Sequence, residues 1–290
     1  MEILTTIVNG LSLGGIYAMI ALGYTMVYGI AKMLNFAHGD IIMVGGYTIL
    51  VFMNMTGHPL IAVLASVIVC ILLGVVIEKV AYKPLRGASP LAVLITAIGV
   101  SYFLQSMAQI IFGSATKMVN IAEFGSIKIG SFKIQVYTLI TLAATIVVMV
   151  ALSCFIKFTK TGRAMIAVSE DSGAAQLMGI NVNRIITITF AIGSGLAALA
   201  GLFCLLKAPN IYSTFGSMPG IKAFTAAVIG GIGSIPGAML GGVLLGVIES
   251  FAGNVEALAP YTDAIEFSIL IIILLVRPTG FLGKKRREKV

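Results

Sequence analysis

Hydrophobic positions in this chain run together in long uninterrupted blocks, and polar positions are confined to short connections between them. Nine blocks stand out, at about 3–30, 41–55, 60–80, 91–112, 136–158, 185–206, 224–235, 239–252 and 264–276. Most are near the twenty residues a helix needs to cross a hydrocarbon core of roughly 30 Å. Lipid offers no hydrogen-bond partner, so a crossing segment must be a helix or part of a closed barrel. A barrel strand alternates apolar and polar positions over about ten residues; these blocks do not alternate. The pattern predicts an all-α polytopic transmembrane bundle, one domain over 1–290. The first block lacks a basic leader and is too long for a signal peptide, so it is expected to stay in the mature protein.

Nine crossings are preferred, with eight or ten open. The block 41–55 has 15 residues, about 22 Å of helix at roughly 1.5 Å per residue, and 224–235 is shorter still. Paired interrupted helices at matching positions of two inverted repeats are a known device in transporters, with the solute route at the broken ends. Here the expected pair lies after NFAHGD (35–40) and around GGIGSIPGAMLGG (230–242).

Composition supports the membrane assignment: 59% of residues are hydrophobic, 10% are charged, and the mean hydropathy is +1.07. A soluble domain carries roughly 25% charged residues. The net charge of +8 is then a topology signal rather than a nucleic-acid footprint. Placing Lys32, Lys79, Lys83, Arg86, Lys157, Lys160, Arg163, Arg184, Arg277 and the 284–289 cluster on the cytoplasmic side puts fourteen of nineteen Lys and Arg inside. The N-terminus is then outside and the C-terminus in the cytoplasm. Cys70, Cys154 and Cys204 each fall within a block without metal-ligand spacing. They are expected to be buried small hydrophobes, with no disulfide and no metal site.

Four stretches carry candidate chemistry. In Asn35-Phe36-Ala37-His38-Gly39-Asp40, Asp40 is placed to cap the following helix and meet its positive dipole end. The glycine cluster runs from Gly230 and Gly231 through Gly233 to Gly246, and its pairs 233/237, 237/241 and 242/246 have the four-residue spacing of close helix packing; a break at 234–236 would expose backbone to a route. No phosphate loop GxxxxGK[ST] occurs, so any ATP must be hydrolysed elsewhere. Glu249 reads as the acid set deepest in a span, where an ionisable group is costly and should face a cavity or the bundle interior. Finally, the polar segment 159–184 predicts a short helix 173–178, capped by Ser172 and ended by Gly179.

Taken in order, NFAHGD (35–40), EKVAYKPLR (78–86), GRAMIAVSEDSGAAQLMGINVNR (162–184), KAFTAAVIGGIGSIPGAMLGG (222–242) and RPTGFLG (277–283) resemble the branched-chain amino acid permeases of bacterial ATP-binding-cassette importers, the LivH type. The resemblance runs nearly end to end. It implies a multi-pass inner-membrane transport subunit that is not itself an enzyme and binds no cofactor. ATP and Mg would be used by two cytoplasmic ATPase subunits. The other implied partners are a related second permease and an extracytoplasmic binding protein that delivers leucine, isoleucine or valine. The resemblance further implies that Gly162, Arg163, Glu170, Asp171, Ala175, Gly179 and Ile180 belong to the loop that couples to the ATPase. Asn35, His38, Gly39, Asp40, Gly230, Gly231, Gly233 and Glu249 are the expected route residues. The expected mechanism is alternating access, with the binding protein on the loops 113–135 and 207–220. Two alternatives stand beside it: the same machine moving another amino acid, urea or an amide, and a stand-alone proton-coupled carrier.

Overall fold

A computed structural model describes residues 2–121, 125–129 and 132–283. Eight of its helices are long and apolar enough to span a membrane among the described residues. In chain order the elements begin with α1 (Glu2–Ala31), α2 (His38–Thr56) and α3 (Pro59–Ile77). From α3 the chain continues through a π turn, Glu78–Tyr82, and a 3-10 turn, Lys83–Leu85. Next come α4 (Pro90–Phe112), β1 (Lys117–Met118), β2 (Ser126–Ile129), β3 (Phe132–Gln135), α5 (Val136–Phe158), α6 (Lys160–Glu170) and α7 (Ser172–Leu177). The second half holds α8 (Val182–Lys207), β4 (Asn210–Ile211), α9 (Ser217–Gly230), α10 (Ile235–Asn254) and α11 (Thr262–Val276).

The core is built on α1, which at 30 residues extends about 45 Å and packs along α10, α8, α9 and α5. Helices in lipid gain nothing from burying apolar groups against each other, so close backbone approach must supply the attraction. Glycine makes that approach possible between α1 and α10: a Cβ on Gly246 would sit 2.1 Å from the Gly14 nitrogen, and one on Gly242 2.4 Å from the Ala18 backbone. On another side of α1, the buried threonines 138, 141 and 145 present one face of α5, and Thr145 fills the space beside Gly15. Helices α3, α4 and α11 lie outside this core, and α11 turns nearly all of its surface outward. Cys154 is exposed on α5 rather than buried, in keeping with the apolar face this helix turns outward.

Two helices begin in the interior. After α1, the chain leaves helical geometry at Lys32 (φ 57°), turns through 32–37 and starts α2 at His38. After α8, residues 208–216 run back into the bundle, pairing β4 with β1 before α9 starts at Ser217. The two N-termini abut: a Cβ on Gly39 would lie 2.6 Å from the Gly216 carbonyl oxygen, and Gly220 packs on the Gly39 Cα. From this junction α2 and α9 run toward opposite ends of the bundle. The helices that begin in the interior are thus α2 and α9, and the second interior break is the stretch 208–216 rather than the glycine cluster at 230–242.

That glycine cluster is a tight turn at one end of the bundle. Gly231 and Gly233 take left-handed φ values of 104° and 95°, and Ser234 caps α10 by accepting from the Gly237 N–H. The last turn of a helix leaves carbonyls without intrahelical donors. At α9 these are met by the C-terminal segment, where Phe281 and Leu282 N–H donate to Ile229 and Gly230 oxygens at 2.9 Å each. The segment 277–283 thus closes the end of α9. Thr6 meets Ser250 and Asn254 at the other end of α10, so residue 2 and residue 283 lie at opposite ends of the bundle, as an odd number of passes requires.

Candidate functional site

The interior junction gathers the NFAHGD residues. Asn35, His38 and Asp40 are buried. Asn35 Oδ1 accepts from the Tyr82 hydroxyl at 2.9 Å, tying the re-entrant turn to the π turn after α3. The His38 ring packs edge-on to Tyr24, with centroids 4.8 Å apart, and its Nε2 is buried with no hydrogen-bond partner. A Cβ on Gly23 would reach within 2.4 Å of that nitrogen, so the histidine occupies space that only a glycine leaves open. Asp40 does not cap α2. Ala37 holds the cap position without a side-chain bond, and Asp40 instead lies in the first helical turn, accepting from Gln105 Nε2 of α4 at 2.8 Å. Gln105 also reaches Ser101 and Ser217, and Gln109 donates to Ser213 at 3.0 Å. A band of polar side chains therefore links α4 to the start of α9.

Glu249 lies in a second cluster, toward the end where the chain begins. The sequence reading that it is the deepest acid does not hold: the Glu266 and Glu78 side chains are 0% exposed, whereas that of Glu249 is 19% exposed. Lys222 of α9 is the centre of the cluster. Its Nζ lies 2.8 Å from Asp263, 3.1 Å from Glu249 and 3.4 Å from Glu266, while the Tyr17 hydroxyl donates to Glu249 at 2.6 Å. Three carboxylates from two helices share one buried ammonium, an arrangement whose Coulomb attraction must offset a desolvation cost of several kcal/mol per ion. Starting the apolar block at 224 left Lys222 in a connection. An ionisable residue five positions into a helix of the bundle would have marked it, and Glu266 inside the last block carried the same signal. Beside this cluster a cavity of about 360 Å³ is walled by α1, α5, α8, α10 and α11.

The segment 159–184 forms two short helices at the end where α9 and residue 283 lie. Thr159 caps α6 by accepting from the Gly162 N–H at 2.9 Å. A Cβ on Gly162 would sit 2.4 Å from Ile156 Cα, so the corner from α5 into α6 needs glycine there. Met165 and Val168 bury one face of α6 while Arg163 and Glu170 face outward. The cap of α7 is Asp171, not Ser172: its carboxylate accepts from Gly173 and Ala174 N–H at 2.9 and 3.0 Å. An extended residue just outside the helix can turn its side chain back on the free N–H groups; Ser172 is already the first helical residue. Gly179 ends the helix at φ 82°, Ile180 N–H bonds the Ala175 oxygen, and Ala175 is buried. Leu177 and Met178 project outward, 90% and 83% exposed.

Behind this tip, Glu78 forms an ion pair with Arg86, Arg86 bonds Asn183, and Thr187 donates to Glu78 at 2.8 Å. These contacts fasten the end of α3 to the start of α8. A cavity of about 940 Å³ opens between them and α6, lined by Lys32, Arg86 and Glu170.

Comparison with known proteins places this geometry. The family model for the branched-chain amino acid transport system permease component matches residues 6–274. The high-affinity branched-chain amino acid transport system permease protein BraD of Pseudomonas aeruginosa is 45% identical, over 99% of this chain and 98% of its own. LivH of Escherichia coli K12, of the same description, is 42% identical over 97% and 96%. The ribose import permease RbsC of Haemophilus influenzae is 31% identical over 45% of this chain and 42% of its own. The relatives are transport permeases rather than enzymes, and the multi-pass bundle is of a kind with that role. The chain belongs to the branched-chain amino acid transport system permease family.

Proposed function

We propose that this chain is the membrane subunit of an ATP-driven importer for leucine, isoleucine and valine. Full-length identity of 42–45% to two permeases of high-affinity branched-chain amino acid systems carries the reading. In it, the α6–α7 tip with exposed Leu177 and Met178 docks on a cytoplasmic ATPase subunit. The loops joined by β1 and β4 receive an extracytoplasmic binding protein, and a related permease pairs laterally. Of the fourteen Lys and Arg among the described residues, nine (Lys32, Lys79, Lys83, Arg86, Lys157, Lys160, Arg163, Arg184 and Arg277) lie toward the α6–α7 end, and this bias supports reading that end as cytoplasmic. Motion of α6–α7 reaches the junction through the Asn183–Arg86–Glu78 contacts and the Tyr82–Asn35 bond. The abutting starts of α2 and α9, with His38, Gly39 and Asp40, form the element that changes between inward and outward states. The glycine turn 230–233 and the C-terminal segment hold the cytoplasmic end of α9.

Labelled leucine uptake in cells with and without the chain, with the proton gradient collapsed and ATP maintained, tests this. Chain-dependent uptake that persists is expected. Uptake that vanishes with the gradient would indicate a proton-coupled carrier, and no chain-dependent leucine uptake would reject the substrate assignment.

A further inference from the structure

The cavity beside the Lys222 cluster has a composition that packing alone does not require. Its volume, about 360 Å³, falls in the roughly 300–1,000 Å³ range of small-molecule pockets. One wall is apolar, formed by Leu13, Ile16 and Phe203. Opposite charges stand on the other walls. Glu249 and Asp263 line the cavity with Lys222 between them, and Lys207 lines it at the end of α8. Among the described residues, Lys207 makes no ion pair, in contrast to Lys222, which has three acids.

Thr141 adds an independent observation. It lines the same cavity, is 1% exposed, and its hydroxyl oxygen is buried without a hydrogen-bond partner. A helical threonine usually satisfies its hydroxyl on the carbonyl four residues back, as Thr48 and Thr189 do here. Leaving a buried hydroxyl unmet costs free energy, so a partner arriving from the cavity would be favoured.

We propose that this cavity is a receiving site for an amino-acid zwitterion on its way through the permease. The inference rests on the functional reading above and names a place where the substrate would stop. The α-ammonium is met by the Glu249 and Asp263 carboxylates, which outnumber the ammonium they already hold. The α-carboxylate is met by Lys207 and by the Thr141 hydroxyl, and an aliphatic side chain lies against Leu13, Ile16 and Phe203. A zwitterion satisfies groups of both signs at once, which neither a simple cation nor a sugar does. The site lies at the end opposite α6–α7, where solute released by a binding protein would enter.

The test uses the complete transporter in lipid nanodiscs without its binding protein, and the same variants in whole cells. Labelled leucine binding and leucine uptake are measured for the wild type, Thr141→Val and Lys207→Gln. Valine matches threonine in shape, Lys207 is exposed, and size-exclusion profiles check assembly. Saturable leucine binding to the wild type, weakened at least ten-fold in both variants with a parallel fall in uptake, is the expected result. A wild type that imports leucine but shows no saturable binding overturns the site and leaves the function standing. So do variants that bind and import as the wild type does. A wild type with no leucine uptake removes the functional reading and the site together.

Discussion

Lys222 holds carboxylates from α10 and α11 against α9, so its loss should be felt in assembly before transport. Removing one partner from a buried ion cluster leaves the others uncompensated and destabilises by about 3–5 kcal/mol. Lys222→Met is therefore expected to lower the thermal midpoint of the purified complex strongly. Adding Glu266→Gln, which removes a fully buried acid, should recover part of the loss. An unchanged midpoint in Lys222→Met would show that the cluster carries no structural load. Glu249 differs, because it lines the cavity and is partly open. Glu249→Gln keeps an acceptor for the Tyr17 hydroxyl and should assemble normally, while leucine uptake falls at least ten-fold. Uptake at the wild-type rate would assign Glu249 to structure alone.

At the scale of elements, the fit between α1 and α10 sets the bundle. Gly246→Ala would push a methyl into the backbone of Gly14, and overpacking of this kind costs about 1–3 kcal/mol. Reduced assembled protein on size exclusion is expected, whereas Gly253→Ala, which meets open space, should behave as the wild type. The four-residue glycine spacing made that contact legible in the sequence. Helix bounds were legible too wherever an apolar block ended in polar residues, as in α4 and α5. The start of α9 was not, because Lys222 interrupts the apolar block and its counter-charges come from helices 27 to 44 positions away, counting from 222 to 249 and 266. Nor was the second interior break: residues 208–216 have no signature, and they become a re-entrant turn only through β1 and Gly39. The cap of α7 was misread by one residue, since Asp171 and Ser172 are both good caps and only backbone geometry separates them. Asp171→Ala is expected to cost about 1 kcal/mol of local helix stability and to slow uptake with binding-protein affinity unchanged. Ser172→Ala should do neither; equal effects of the two would contradict the cap assignment.

For the molecule as a whole, the passes determine which ends share a side of the membrane. Contacts of Thr6 with Ser250 and Asn254 put the start of α1 and the α10–α11 connection at one end. The bonds from Phe281 and Leu282 to the end of α9 put residue 283 at the other, and the 940 Å³ cavity groups α6 with that second end. Eight long helices alone would place both chain ends on one side; counting the 208–230 re-entrant stretch with α9 as a ninth pass separates them. In the proposed orientation, which follows the bias of the basic residues, the α6–α7 end is cytoplasmic. In a background with Cys70, Cys154 and Cys204 replaced, single cysteines at Glu256 and Leu177 discriminate these arrangements, since both positions are exposed. A membrane-impermeant maleimide on intact cells should label Glu256→Cys at once and Leu177→Cys only after permeabilisation. The reverse pattern would invert the orientation and move the proposed receiving site to the cytoplasmic side. Labelling of both from outside would mean that an even number of passes separates the two connections, and the re-entrant assignment of α9 would fall with it.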